Sequence, residues 1–152
     1  MKGPRVSVKA VVVQDGRLLV IRKDRGGGPF YVLPGGGQHR GEPLDRALVR
    51  EAEEETGLEL RLGKLLFVRD YIAAHHEFAD DTPNLHAVQL MFECQVVGGT
   101  EGTGRRPDTA QVGVTWLDLA GLEDQPLYPA ALRRLITPAG PLSPPVYLGD
   151  IN

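Results

Sequence analysis

Val6, Val8, Ala10 and Val12 alternate with Ser7, Lys9, Val11 and Val13, the two-residue period of a strand. Asp15-Gly16 follows, a pair that tolerates positive φ and closes a hairpin, so Leu18 to Arg22 reads as the returning strand. After the loop Gly26-Gly27-Gly28-Pro29, a short third strand is predicted from Phe30 to Leu33. Pro34-Gly35-Gly36-Gly37 reads as a turn whose glycines let backbone approach a ligand or metal; an ordinary flexible turn fits the same four residues. Pro43 can open a helix without losing a hydrogen bond, and the helix is expected to reach Thr56, with Gly57 as its stop. Leu58 to Tyr71 is mostly strand, bent near Gly63-Lys64, and Ala73 to Asn84 is a polar loop. His86, Val88, Leu90, Phe92, Cys94 and Val96 mark one face of a long strand. A Gly-rich loop from Gly98 to Asp108, a strand through Val112, Val114 and Trp116, a closing helix from Pro129 to Ile136 and a Pro-rich tail from Pro138 complete the chain. The tail is expected to be extended or loosely docked. Strands with one central and one terminal helix predict a single α/β domain over 1–152, a sandwich on a mixed sheet, with 138–152 as an extension.

The central helix breaks its own pattern. At about 100° per residue, Leu44, Ala47, Leu48, Ala52 and Leu58 share one side, which should face the core. Arg46, Arg50 and Glu53 fall opposite, where solvent is expected. Glu51 and Glu55, however, lie inside the apolar stripe, and Glu54 on its border. A glutamate run on a helix is usually a solvated face, but unpaired carboxylates turned toward a core cost several kcal/mol. Arg50 can pair with Glu54 at i,i+4, yet one arginine cannot serve three acids. Carboxylates at these spacings suit a hard divalent cation, because Mg²⁺ takes oxygen ligands, water and phosphates. The spacing favours metal over the solvated face.

Composition narrows the partners. The chain has 152 residues, 24% of them charged, and a net charge of −3, so bulk electrostatic binding of nucleic acid is not expected. The single Cys94 excludes an internal disulfide and fits a reducing compartment. No apolar stretch is long enough to span a membrane, and a cytoplasmic location is the default.

The stretch Gly36, Glu42, Arg50-Glu51-Ala52-Glu53-Glu54-Glu55-Thr56-Gly57-Leu58 resembles the Nudix box, in which a Gly, a Glu and an Arg-Glu…Glu-Glu-x-Gly cluster recur at these spacings. Ala52 stands where a larger aliphatic is usual, a matter of packing. The resemblance covers 23 of 152 residues and extends to the strand order around them. It implies a Nudix-type α/β/α sandwich and a hydrolase that cuts the diphosphate link of a nucleoside diphosphate derivative. Such substrates include ADP-ribose, nucleotide sugars, dinucleoside polyphosphates and nucleoside triphosphates. Mg²⁺ or Mn²⁺ is the implied cofactor, with Glu54 and Glu55 as main ligands, Glu51 as a further ligand or the base, and the Gly35 carbonyl as a backbone ligand. Arg50 resembles the residue that orients the glutamates, and Glu42 a structural support. The implied reaction is water attack at one phosphorus while the other phosphate leaves.

Other features are less directed. Some relatives place the base in a loop before the late tryptophan, where this chain has Gln111; Asp108, Glu77, Asp80 and Asp81 are the alternatives to Glu51. Arg22, Lys23 and Arg25 could grip phosphate or simply face solvent, and Phe30 and Tyr31 could stack on a base or pack the core. Arg22, Arg25 and Tyr31 are the candidate substrate contacts. His75-His76-Glu77 reads as polar loop, His86 as an edge histidine, Cys94 as inert core, and Arg105-Arg106 as solvated. Ala73 and Tyr71 do not match the proline and tyrosine that mark some subgroups, so the substrate subgroup stays open. A small nucleotide is the expected partner, and pairing into a homodimer is compatible with the resemblance. A silent nucleotide-sensing module and an RNA 5′-end hydrolase are the competing functions.

Overall fold

A computed structural model describes residues 3–80, 82–102, 104, 111–141 and 146–152. In chain order its elements are β1 (Arg5–Val11), β2 (Val13–Gln14), β3 (Arg17–Asp24), β4 (Pro29–Val32) and β5 (Gly35–Gly37). Then come α1 (Leu44–Thr56), β6 (Leu58–Ile72), β7 (His86–Gly99), β8 (Gln111–Asp118), β9 (Leu127–Tyr128) and α2 (Leu132–Leu135). The chain closes with β10 (Ile136–Thr137), β11 (Gly140–Pro141) and β12 (Tyr147–Asp150). Among the described residues no helix is long and apolar enough to cross a membrane.

The strands form two mixed five-stranded sheets and a small hairpin. One sheet has the order β12-β6-β7-β1-β5, with β1 parallel to β7 and β6 antiparallel to it. The other carries β2-β3-β4-β9, with β8 on the free flank of β3. The α/β class expected from the sequence is the fold observed. Asp15 (φ 52) and Gly16 (φ 74) make the β2–β3 turn as their chemistry requires, and the register of β6 on β7 shifts between Leu62 and Leu65, at the expected bend.

Two apolar clusters flank the strands. Val8, Ala10, Val12 and Leu19 pack with Ala47, Leu48 and Ala52 of α1. Val11, Leu18 and Val20 turn the other way, onto Phe67, Met91, Leu127, Leu132 and Ile136. Alternation along β1 and β3 thus feeds both clusters from the same strands. It also explains why the run Ala10 to Val12 is buried on both faces.

Three expectations need correction. Gly35–Gly37 is a strand rather than a turn: it lies antiparallel on β1, with Lys9 opposite Gly35 and Ser7 opposite Gly37. Space requires Gly35, where a Cβ would collide with the Val8 carbonyl; at Gly37 a Cβ would displace the movable end of the Arg5 side chain. Gly35 also sits at φ 140. The closing helix shrinks to the four residues of α2, because Ile136 returns to extended backbone and pairs in the β10–β11 hairpin. Finally, the tail after Pro138 is extended over 147–150, as one of its two expected forms, and only the loose docking is replaced: β12 runs parallel to β6 and pairs with it.

Hydrogen bonds explain that last seat. The Asp150 carboxylate accepts from the Ile72 N–H at 3.1 Å and meets His75 Nδ1 at 2.6 Å and His76 Nε2 at 2.7 Å. The neighbouring Asp70 accepts from Tyr147 at 2.6 Å and contacts His86 at 2.8 Å. His75 and then His76 hold the Asp150 carboxyl well below the usual carboxylate range. The polar loop and the edge histidine of the sequence reading are therefore the clamp for β12. Replacing Asp150 with Asn should loosen this edge alone: amide exchange should quicken at Val68, Ile72 and Ile151, whose N–H groups bond across the seam, and stay slow in β1. Hydrogen-exchange mass spectrometry tests this; uniform protection in the variant would show that the clamp does not hold the strand.

Candidate active site

α1 begins at Pro43, whose carbonyl accepts the Ala47 N–H at 2.9 Å. It ends at Gly57, left-handed at φ 78, whose N–H bonds the Glu53 carbonyl. The last orphan carbonyls are met from outside: Gly102 N–H donates to Thr56 and Gln111 Nε2 to Glu55. Gln111, the residue standing where some relatives carry an acid, is thus occupied as a helix cap.

On this helix Arg50 is the organiser. The wheel put it in solvent, but strand β5 and the loop that follows cover that flank, leaving its side chain only 23% exposed. Its fork grips Glu42 twice, Nε to Oε2 at 2.7 Å and Nη2 to Oε1 at 2.9 Å. Nη2 also donates to the Gly37 carbonyl at 3.0 Å, and Nη1 to Glu51 at 3.0 Å and Glu54 at 3.3 Å. Glu42 in turn accepts the His39 N–H at 3.0 Å. Arg50, and secondarily that backbone bond, pull the Glu42 carboxyl down to about 2, while Glu42 raises the Arg50 guanidinium further above its already high value.

Glu51 leans over Gly36, so closely that a Cβ there would lie 2.6 Å from its carboxylate. Glu55 is buried at the same end of the helix. Glu51, Glu55 and Gly35–Gly37 line one cleft of about 480 Å³, faced by Arg5, Lys9 and Arg25. Glu54 does not line it; it stays on the Arg50 side. Among the described residues no three His, Cys, Asp or Glu side chains stand close enough to enclose an ion by themselves, because Arg50 Nη1 lies between Glu51 and Glu54. The donor set still suits a hard cation that keeps waters and phosphate in its shell. Two carboxylates face the cleft, and the Gly35 carbonyl already draws the Lys9 ammonium to 3.4 Å.

The cleft continues into a second pocket of about 170 Å³ that shares Lys9, Arg25, Thr82, Leu85 and Gln89 with it. Phe30 and Phe78 stack there with centroids 5.1 Å apart, and Tyr128 meets Phe78 edge-on at 5.1 Å. Here strand parity sorts the sequence candidates. Lys23 pairs with Phe30 across β3 and β4, and both line this pocket. Arg22 pairs with Tyr31 and points to the other face. Of the three candidate substrate contacts, then, Arg25 stands at the cleft, whereas Arg22 and Tyr31 do not, Tyr31 packing on the core as its alternative reading had it. Arg69, missed in the sequence, is 6% exposed and lines the same pocket beside Gln89. Glu77 bonds Asn152 instead of facing Glu51, and Asp80 does not line the cleft. Asp81, Asp108, Arg105 and Arg106 lie outside the described residues. Cys94 is inert as expected: burial pushes its thiol up to about 12.

The NUDIX domain family matches residues 3–137. The chain belongs to the Nudix hydrolase family. A MutT-like protein of Streptomyces ambofaciens is 32% identical to this Nudix chain over 139 residues, 90% of the chain and 79% of that protein. An ADP-ribose pyrophosphatase of Methanocaldococcus jannaschii is 34% identical over 99 residues, 63% of the chain and 53% of that protein; the chain's match thus spans about half of that relative's length. Among solved structures, a MutT Nudix hydrolase from Burkholderia pseudomallei has a TM-score of 0.62 and 33% identity, covering 78% of the chain and 86% of its own. A Nudix hydrolase from Nitrosomonas europaea reaches 0.66 with 26% identity, covering 81% and 78%.

The Glu42–Arg50 pair gives a pH signature. Because Glu42 is held near 2 against an ordinary 4.5, its contribution to stability is complete above about 4.5 and is lost as pH falls through about 2. Glu42→Gln should therefore lower the melting temperature at pH 7, with the gap to wild type closing between pH 4.5 and 2. A gap that is the same at both ends would mean that Arg50 gains nothing from that carboxylate.

Proposed function

We propose that the chain hydrolyses the diphosphate linkage of a nucleoside diphosphate derivative, using Mg²⁺ or Mn²⁺ bound at Glu51, Glu54, Glu55 and the Gly35 carbonyl. The observation that carries this reading is one continuous cleft with carboxylates at one end, aromatic rings at the other and cations between. A nucleotide has the same order of parts: a metal-seeking diphosphate joined to a flat base.

The divalent ion, when bound, supplies Lewis-acid neutralisation of the diphosphate. The chain's own groups do the rest. Arg5, Lys9 and Arg25 face the carboxylates across the cleft, where they oppose phosphate oxygens and hold the linkage in place. Glu51, oriented by Arg50 at 3.0 Å, is the group best placed to take the proton of the attacking water; Glu77 and Asp80 stand away from it. Arg50 is a positioning residue, fixing Glu51 and Glu54 against the Gly37 carbonyl and Glu42. The Gly36 backbone, bare of side chain, leaves the Glu51 carboxylate room to lie flat on β5. The names of two relatives, an ADP-ribose pyrophosphatase and a nucleoside triphosphatase NudI of Enterobacter, support the reaction class and leave the leaving group open.

A panel of ADP-ribose, nucleotide sugars, dinucleoside polyphosphates and nucleoside triphosphates, read by product identity with and without Mg²⁺ or Mn²⁺, tests the proposal. Turnover should require the metal, and Glu51→Gln, Glu54→Gln and Glu55→Gln should each cost at least about 10²-fold with melting curves close to wild type. Near-wild-type rates in Glu54→Gln and Glu55→Gln would remove those two from the ligand set, and silence across the panel would leave the chain a nucleotide-binding module.

A further inference from the structure

The pocket beyond the carboxylate cleft contains a buried charge that nothing in the proposed chemistry uses. Arg69 is 6% exposed, yet among the described residues it has no carboxylate within ion-pair distance. Its bonds go to neutral oxygens: Nε to Gln89 Oε1 at 2.8 Å, and Nη1 to the Ile151 carbonyl at 2.6 Å and Asn152 Oδ1 at 3.0 Å. Its plane rests over the Tyr71 ring, 4.8 Å from the centroid. Burial lowers its pKa to about 10, outweighing the opposing pull of Tyr71, Asp150 and Glu77. Nη2 makes no hydrogen bond among the described residues. Because no fully buried side-chain nitrogen or oxygen there lacks a partner, Nη2 is open to solvent, and the space beside Arg69 is the pocket it lines.

The other polar groups share the bias. Gln89 Oε1 accepts from Arg69, which fixes the amide with its –NH₂ making no hydrogen bond among the described residues. Lys9 and Lys23 add positive charge to the lining, and no described lining residue carries a carboxylate side chain. Aromatic walls accept a flat ring, and a pocket that offers donors selects for acceptors on its edge. With Nε and Nη1 engaged, Arg69 offers only Nη2 to a ligand, a single charged donor suited to a ring carbonyl oxygen; where a 6-oxopurine carries that oxygen, adenine presents an amine.

We propose that this pocket selects a nucleobase by its ring carbonyl oxygens, with Arg69 Nη2 and Gln89 Nε2 as the donors, so that the substrate carries an oxo base, a 6-oxopurine or a uracil-type pyrimidine, and not adenine. The inference rests on the reading of the adjoining cleft as the diphosphate site, and it names the nucleoside that site would serve.

Calorimetric titration of the whole chain with IMP, AMP, UMP and ribose 5-phosphate, in the absence of divalent ions, tests it apart from turnover. IMP and AMP are nearly equal in size and differ at the position in question; UMP separates the pyrimidine source from the purine. IMP or UMP should bind at least about tenfold more tightly than AMP, and ribose 5-phosphate should be weaker than the preferred base-bearing ligand. Gln89→Glu, which pairs with Arg69 and replaces a donor by an acceptor, should abolish the preference; Arg69→Lys should reduce it while leaving ribose 5-phosphate affinity unchanged. Equal affinities for the oxo and amino bases, binding of AMP above the others, ribose 5-phosphate matching them, or no binding by any monophosphate would each overturn the proposal. Hydrolysis without base preference would sink this inference alone, and base preference without hydrolysis would sink only the proposed function.

Discussion

Arg50 is the constraint on which the site depends. One planar guanidinium joins the loop before the helix through Glu42, the edge strand through the Gly37 carbonyl, and two glutamates of its own helix. A lysine could not do this, since a single ammonium has no fixed fork with which to hold so many oxygens at set angles. The fork turns three separate segments into one rigid frame, and the two glutamates next to it inherit their orientation. Two further conditions make the frame fit. β5 must lie close enough for its carbonyl to reach Nη2, which demands glycines, and α1 must bring small residues, Ala47 and Ala52, to the sheet. Ala52, where a bulkier aliphatic is common, belongs to this close approach.

Much of this was legible in the sequence because it is periodic. The helix bounds, the Asp15-Gly16 hairpin and the long strands follow from local patterns, and Glu51 and Glu55 betrayed themselves by standing in an apolar stripe. Arg50 was misjudged by the same wheel, which knows the core side of a helix but not what folds over its flank; only the resemblance to the Nudix box gave its role. The glycines of β5 were read as a turn when they form a strand: a side chain on Gly35 would strike the Val8 carbonyl of β1, and one on Gly36 the Glu51 carboxylate of the helix.

The second pocket was the least legible part. Its walls come from β1, β3, β4, β6, β7, β9, the loop after β6 and Asn152, brought together by tertiary pairing rather than by spacing. Between Arg22 and Lys23, or Phe30 and Tyr31, composition cannot choose; the register of β3 on β4 can, since a shift of one residue exchanges every face. Arg69 was invisible because an arginine in a strand usually faces water, and nothing nearby in the sequence indicates that β12 will fold over it.

That seam between β6 and β12 has one more consequence. Ile151 and Asn152 are held by Arg69 on one side, while Asp150 is held by two histidines on the other, so three consecutive residues connect the inner pocket, which Asn152 lines, to the outer surface. By thermodynamic reciprocity, an occupant of the inner space that binds better when these residues are seated stabilises the outer edge by the same factor, and one that does not discriminate leaves the edge unchanged. Asn152, just past β12, is therefore part of the pocket wall as well as of the sheet's edge.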